Sequence, residues 1–82
     1  PNPFRPNITE SKEITFEKLT ENSIIDIFTL NGELVKSDIE GRSGYAIWDG
    51  RNDGGSEVVS GLYVYLIRSD IDKAVGKILI IR

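Results

Sequence analysis

The chain is 82 residues long, enough for one domain and too short for two. Hydrophobic residues make up 39% and charged residues 28%, the balance of a soluble globular fold and not of a disordered tail. There is no cysteine and no histidine, and the formal net charge is −3, which excludes disulfide staples, thiolate zinc sites and any catalysis that needs an imidazole.

Residues 1–41 carry 4 basic and 8 acidic side chains, and residues 42–82 carry 6 and 5. Neither half offers the basic stripe by which a protein displaces counterions from nucleic acid, so no nucleic-acid partner is expected. No apolar run reaches the roughly 18 residues of a transmembrane helix, and no membrane insertion is expected. The sequence has no methionine and opens with Pro1-Asn2-Pro3, so it reads as a segment of a longer polypeptide with neither a translation start nor a signal peptide.

Pro1, Pro3 and Pro6 forbid a helix at the start and predict an extended segment that serves as an edge strand or a linker. Glu13–Glu17 alternates with period two and places Ile14 and Phe16 on one face of a strand, with room for one helical turn over Phe16–Leu19. Ser23–Leu30 predicts a second strand. Ile25, Ile27 and Thr29 share its inner face, while Asp26 lies with Ile24 and Phe28 on a partly covered outer one. Asn31-Gly32 signals a type I′ hairpin, with Glu33–Ile39 as the return strand.

Glu40-Gly41 and Ser43-Gly44 interrupt the chain before Tyr45–Trp48. Asp49–Ser60 predicts a loop with its own turn at Asp53-Gly54. Leu62–Arg68 and Val75–Ile81 then read as strands apolar on both faces, joined by a turn in which Asp70 and Asp72 are solvated. About seven strands at this spacing, with no helical period, predict a Greek-key β-sandwich over residues 1–82. The expected core is Ile14, Phe16, Ile25, Ile27, Trp48, Leu62, Tyr63, Val64 and Leu66.

The loop from Asp49 touches the calcium template D-x-[DN]-x-[DN]-G through Asp49, Asp53 and Gly54. Arg51 stands where a ligand is needed and Ser60 where the bidentate Glu belongs, so no metal or other cofactor is expected. The stronger reading is structural: Asp49 accepts backbone N–H groups of its own turn, and Asp53-Gly54 supplies positive φ. Carboxylates spread over alternating strand positions do not pair for glycosidic chemistry, and no enzyme activity is expected. Trp48, Tyr45, Tyr63 and Tyr65 would make a sugar-stacking platform if exposed, but aromatic residues in strands usually fill cores. Asn7-Ile8-Thr9 matches the glycosylation sequon, which matters only in a eukaryotic secretory path.

Trp48 to Tyr65 resembles the pattern W-D-G-x-N-x-x-G-x-x-V-x-S-G-x-Y-x-Y of two related groups of bacterial immunoglobulin-like domains. One is the flagellar hook-cap (FlgD-like) domain; the other is the C-terminal sorting domain of proteins exported by the type IX secretion system. The signature residues matched are Trp48, Asp49, Gly50, Asn52, Gly61 and Tyr63. The opening Pro1-Asn2-Pro3 with Phe4, the Gly32-x-x-Val35 element and Lys77 before Ile-Leu-Ile-Ile are similar to the sorting group in particular. The resemblance implies an immunoglobulin-like sandwich and a non-catalytic C-terminal module of an exported, cell-surface or extracellular bacterial protein; the isolated domain is expected to be monomeric. Its implied partner is the outer-membrane secretion machinery, with Pro1, Asn2, Pro3, Gly32, Val35 and Lys77 as sorting-motif residues. The alternative it implies is a structural or interaction module contacting other domains of its parent, and carbohydrate binding is a third, weaker reading.

Overall fold

Period-two alternation decides which residues of a strand face inward. In a computed structural model, which describes residues 13–82 and the backbone pairing of Asn7 and Ile8, that alternation builds two antiparallel sheets. The strands are β1 (Asn7–Ile8), β2 (Ile14–Phe16), β3 (Ile24–Thr29), β4 (Leu34–Glu40), β5 (Ala46–Trp48), β6 (Gly61–Arg68) and β7 (Lys73–Ile80). One sheet has the order β1-β2-β5 and the other β4-β3-β6-β7. Pro1, Asn2 and Pro3, with the extended segment expected around them, lie outside the described residues.

The sheets share one core. Ile14, Phe16, Ala46 and Trp48 come from the first, and Ile25, Ile27, Ile39, Tyr63, Tyr65, Ile67, Ile78 and Ile80 from the second. Phe16 meets Tyr65 edge-on at a centroid distance of 5.2 Å, and Trp48 meets Tyr63 likewise at 6.1 Å, the geometry in which a ring's positive edge faces a negative face. Tyr65 stands opposite Gly76 on β7, and a Cβ built at Gly76 would lie 2.3 Å from the tyrosine oxygen. The bare backbone at residue 76 therefore makes the space in which the Tyr65 ring lies.

Several expectations need correction. On β6 the inward residues are Tyr63, Tyr65 and Ile67, while Leu62, Val64 and Leu66 line the outer face. A strand apolar on both sides gives no phase by hydrophobicity alone, and the bulkier tyrosines fill the space between the sheets. No helical turn forms over Phe16–Leu19: Lys18 has a φ of 58°, and the Leu19 N–H donates to Gly44 O at 3.0 Å, which brings Leu19 into the core.

The β3–β4 hairpin is not type I′, since of Asn31 and Gly32 only Gly32 has positive φ, at 89°. Gly32 N–H donates to Thr29 O at 3.0 Å and Thr29 N–H to Glu33 O at 2.9 Å. This is a turn centred on Leu30-Asn31 followed by a left-handed glycine, the three-residue loop that carries a bulge.

Candidate functional site

The loop between β5 and β6 repeats that turn. Gly55 N–H donates to Asn52 O and Asn52 N–H to Ser56 O, both at 2.9 Å, and Gly55 has a φ of 87°. The side chains repeat it too. Asn52 Oδ1 accepts from Ser56 N–H at 3.0 Å as Thr29 Oγ1 accepts from Glu33 N–H at 3.1 Å. Positive φ thus falls on Gly55 and not on the expected Asp53-Gly54.

Around this turn the signature residues other than Gly61 all make bonds that hold the loop. The Trp48 indole N–H donates to Arg51 O at 2.9 Å, and Asp49 Oδ1 accepts the Arg51 N–H at 3.0 Å, the turn-opening role expected of Asp49. Arg82, whose side chain is 14% exposed, reaches into the loop. Its guanidinium donates to Gly50 O at 2.7 Å and to Val58 O, and pairs with Glu57 Oε2 at 3.1 Å. The Tyr63 hydroxyl donates to Val59 O at 2.7 Å.

Asp53 fastens the loop to β4. Its N–H donates to Val35 O at 2.9 Å. Its carboxylate accepts from Ser37 N–H at 3.2 Å and Ser37 Oγ–H at 2.9 Å, with Lys36 Nζ 3.7 Å away. The Ser37 backbone and hydroxyl donors hold the Asp53 carboxyl below the usual carboxylate range, outweighing desolvation, with a lesser contribution from Lys36. One residue on, Asp26 Oδ1 accepts the Asp38 N–H at 3.0 Å. Asp26 is buried, and Arg68 Nε lies 3.5 Å from its other oxygen. The β3–β4 register slips twice, between Ile25 and Ile27 and between Ile27 and Phe28, and Asp38 takes a φ of 58°. Two carboxylates from different elements thus grip consecutive amides of a bulged strand.

These bonds give Asp49 and Asp53 other work than calcium. Asp49 turns in on its own loop, Asp53 outward to β4, and the cation at the Gly50 and Val58 carbonyls is the Arg82 guanidinium. Nor do the described sorting-motif candidates, Gly32, Val35 and Lys77, converge. Val35 and Lys77 sit on β4 and β7, the opposite edges of the four-stranded sheet. Val35 packs against the core, and Gly32 is a hairpin tip. Of the four aromatic residues weighed as a sugar platform, Trp48, Tyr63 and Tyr65 are buried and Tyr45 alone is exposed. Asp70, expected to be merely solvated, accepts from Asn22 Nδ2 at 3.0 Å.

Arg82 is the residue that sequence reasoning missed. Its signal was parity, because it continues the inward series Ile78, Ile80 at the end of β7. A depression lined by Leu19, Thr20, Ser23, Ile67 and Asp72 encloses about 20 Å³, room for about one water. Among the described residues no helix is long and apolar enough to cross a membrane.

No protein-family model matches the sequence, and no curated protein does. Among solved structures, the fold is similar to part of PorZ, an essential bacterial surface component of the type IX secretion system of Porphyromonas gingivalis. The TM-score is 0.72 at 20% identity, over 88% of this chain and 10% of PorZ. The chain thus has the fold of a segment about a tenth the length of that surface component.

Proposed function

We propose that this is a non-catalytic C-terminal sorting domain of a secreted or cell-surface bacterial protein, read by type IX-like outer-membrane secretion machinery. The observation that carries the reading is the likeness of fold to a segment of PorZ, taken with the sorting-group resemblance of Gly32, Val35 and Lys77. An immunoglobulin-like Greek key is the finer architecture. It draws support from the strand order and from Tyr63, which sits near the start of β6 and bonds back to Val59 O, as the tyrosine corner of such folds does. Recognition would use main-chain groups at the β7 edge, where a partner strand can extend the sheet.

A second reading has its own observation in favour. Trp48, Asp49, Gly50, Asn52 and Tyr63 all serve the loop network, so the shared signature accounts for a fold, as in a hook-cap-like structural or interaction module. The deciding experiment fuses residues 1–82 behind a signal peptide and a fluorescent reporter, in a bacterium with a working type IX system and in its secretion-null sibling. Reporter on the surface or in the medium of the first strain alone is expected. Reporter held in the periplasm of both strains would leave the structural module.

A further inference from the structure

The two edges of the four-stranded sheet differ in what they leave open. β4 is bulged, and its outward groups at Val35 and Ser37 are bonded to Asp53. β7 is regular. Its register with β6 runs unbroken from Arg68↔Lys73 to Gly61↔Ile80, and among the described residues β6 is its only partner strand. In an antiparallel edge strand, alternate residues point their N–H and C=O away from the sheet, a template for one more strand.

The side chains along that edge carry a pattern. On the outer face, β7 presents Lys73, Val75, Lys77 and Leu79 in turn, with Val75 68% and Leu79 47% exposed. Neither lysine makes an ion pair among the described residues. β6 and β7 together hold Arg68, Lys73 and Lys77 and no acidic residue, in a chain of net charge −3. Arg68 is already matched by Asp26 and Asp38, so the unmatched positive charge of this edge belongs to the two lysines. Asp70 and Asp72 lie past the end of the strand and accept from Asn22 and from the Lys73 N–H.

We infer that the open edge of β7 takes an extended polypeptide strand of alternating acidic and apolar residues. Two carboxylates, at i and i+4, face Lys73 and Lys77, and apolar side chains face Val75 and Leu79. The inference rests on the sorting reading only for which protein presents that strand. Charge favours this occupant over a second copy, because two antiparallel β7 strands centred on Val75 would set Lys73 against Lys77 twice. Centred on Lys77 they would set Lys77 against itself, and centred on Gly76 they would leave all four lysines without a carboxylate. Like charges directly opposed across a ladder destabilise it. The lysines that repel a copy attract an acidic strand, so attraction and exclusion come from the same two positions.

The test titrates the 82-residue chain with three peptides and follows backbone amide shifts by NMR. The first is Thr-Val-Thr-Glu-Thr-Val-Thr-Glu-Thr, the second replaces both Glu by Lys, and the third is the first with Pro at the second Val, whose N–H faces the outward carbonyl of Val75. The acidic peptide should bind about tenfold tighter than the basic one, from two cross-strand charge pairs changing sign. Shifts should centre on 73–80, and the Pro peptide should lose binding because it cannot complete the ladder. Lys73→Glu with Lys77→Glu should reverse the preference. Equal affinities, shifts centred elsewhere, or binding to anionic lipid vesicles without binding to the acidic peptide would overturn the inference.

The double variant also enters the export assay. If the wild-type fusion is retained while the acidic peptide still binds selectively, the sorting reading fails and this one stands. If the double variant, shown to be folded, is exported as well as wild type, the β7 strand pairing is not what the machinery reads.

Discussion

β4 and β7 are the two edges of one sheet, and the molecule treats them in opposite ways. β4 is kinked by two register shifts, gripped by Asp26 and Asp53, and overlaid by the loop that Trp48 and Arg82 hold down. β7 keeps an unbroken register and, among the described residues, carries two lysines as its protection. Bulges, a covering loop and edge lysines are all known means of preventing edge-to-edge association. Using the heavy means on one edge and the light one on the other concentrates any strand pairing at β7. Hydrogen exchange should show the contrast directly, with the Ser37 amide protected and the outward amides of β7 exchanging fast.

The contrast can be broken from the β4 side in graded steps. Trp48→Ala removes a ring 1% exposed together with the bond to Arg51 O, and should cost about 3–5 kcal/mol in chemical denaturation. A loss below about 1 kcal/mol would mean that the ring does not anchor the core. Arg82→Ala strips three contacts from the loop and should cost about 2 kcal/mol. Arg82→Lys should recover only part of this, since an ammonium cannot reproduce the fork of the guanidinium.

Gly32→Ala and Gly55→Ala sharpen the comparison instead. Both glycines have φ near +88° with open space where a Cβ would go: 89° and 87°, with nothing within 4 Å. Each should cost about 1–2 kcal/mol, from backbone strain alone. Only the Gly55 variant should also speed exchange at Ser37, because only its turn carries Asp53, which accepts the Ser37 N–H. Equal exchange in both variants would mean that the docking does not depend on the turn.

The smallest effect is that of pH. Asp53 has a carboxyl pKa lowered in the folded state, so its contribution is fully present above the unfolded value of about 3.9. It is lost as pH falls through the lower folded value. An NMR titration of the Asp53 carboxyl should find its midpoint below that of a random-coil Asp, and Ser37→Ala should move it upward.

Much of this was legible in the sequence where polar residues set the phase. Glu13-Ile14-Thr15-Phe16-Glu17 states its own inner face, and the buried pair Ile25 and Ile27 follows from the Asp26 between them. On β6 the phase was hidden in Leu62–Ile67, all apolar, yet Arg68 marks the even positions as outer. Lys73 and Lys77 mark the odd positions of β7 in the same way. The hairpin type was not legible, because Asn-Gly serves equally in a turn whose glycine follows the central pair. Least legible was the partnering of Asp53 with Ser37 and of Arg82 with Gly50, since no local pattern joins residues that meet only after both sheets have formed.

Gly76 and Tyr65 carry one last consequence. A side chain at 76 and a ring at 65 claim the same space, so neither position can drift by itself. As lineages diverge, a gain at one site must travel with a loss at the other. In an alignment of relatives these two columns should therefore change together or not at all, a covariation written by van der Waals radii and independent of whatever the domain binds.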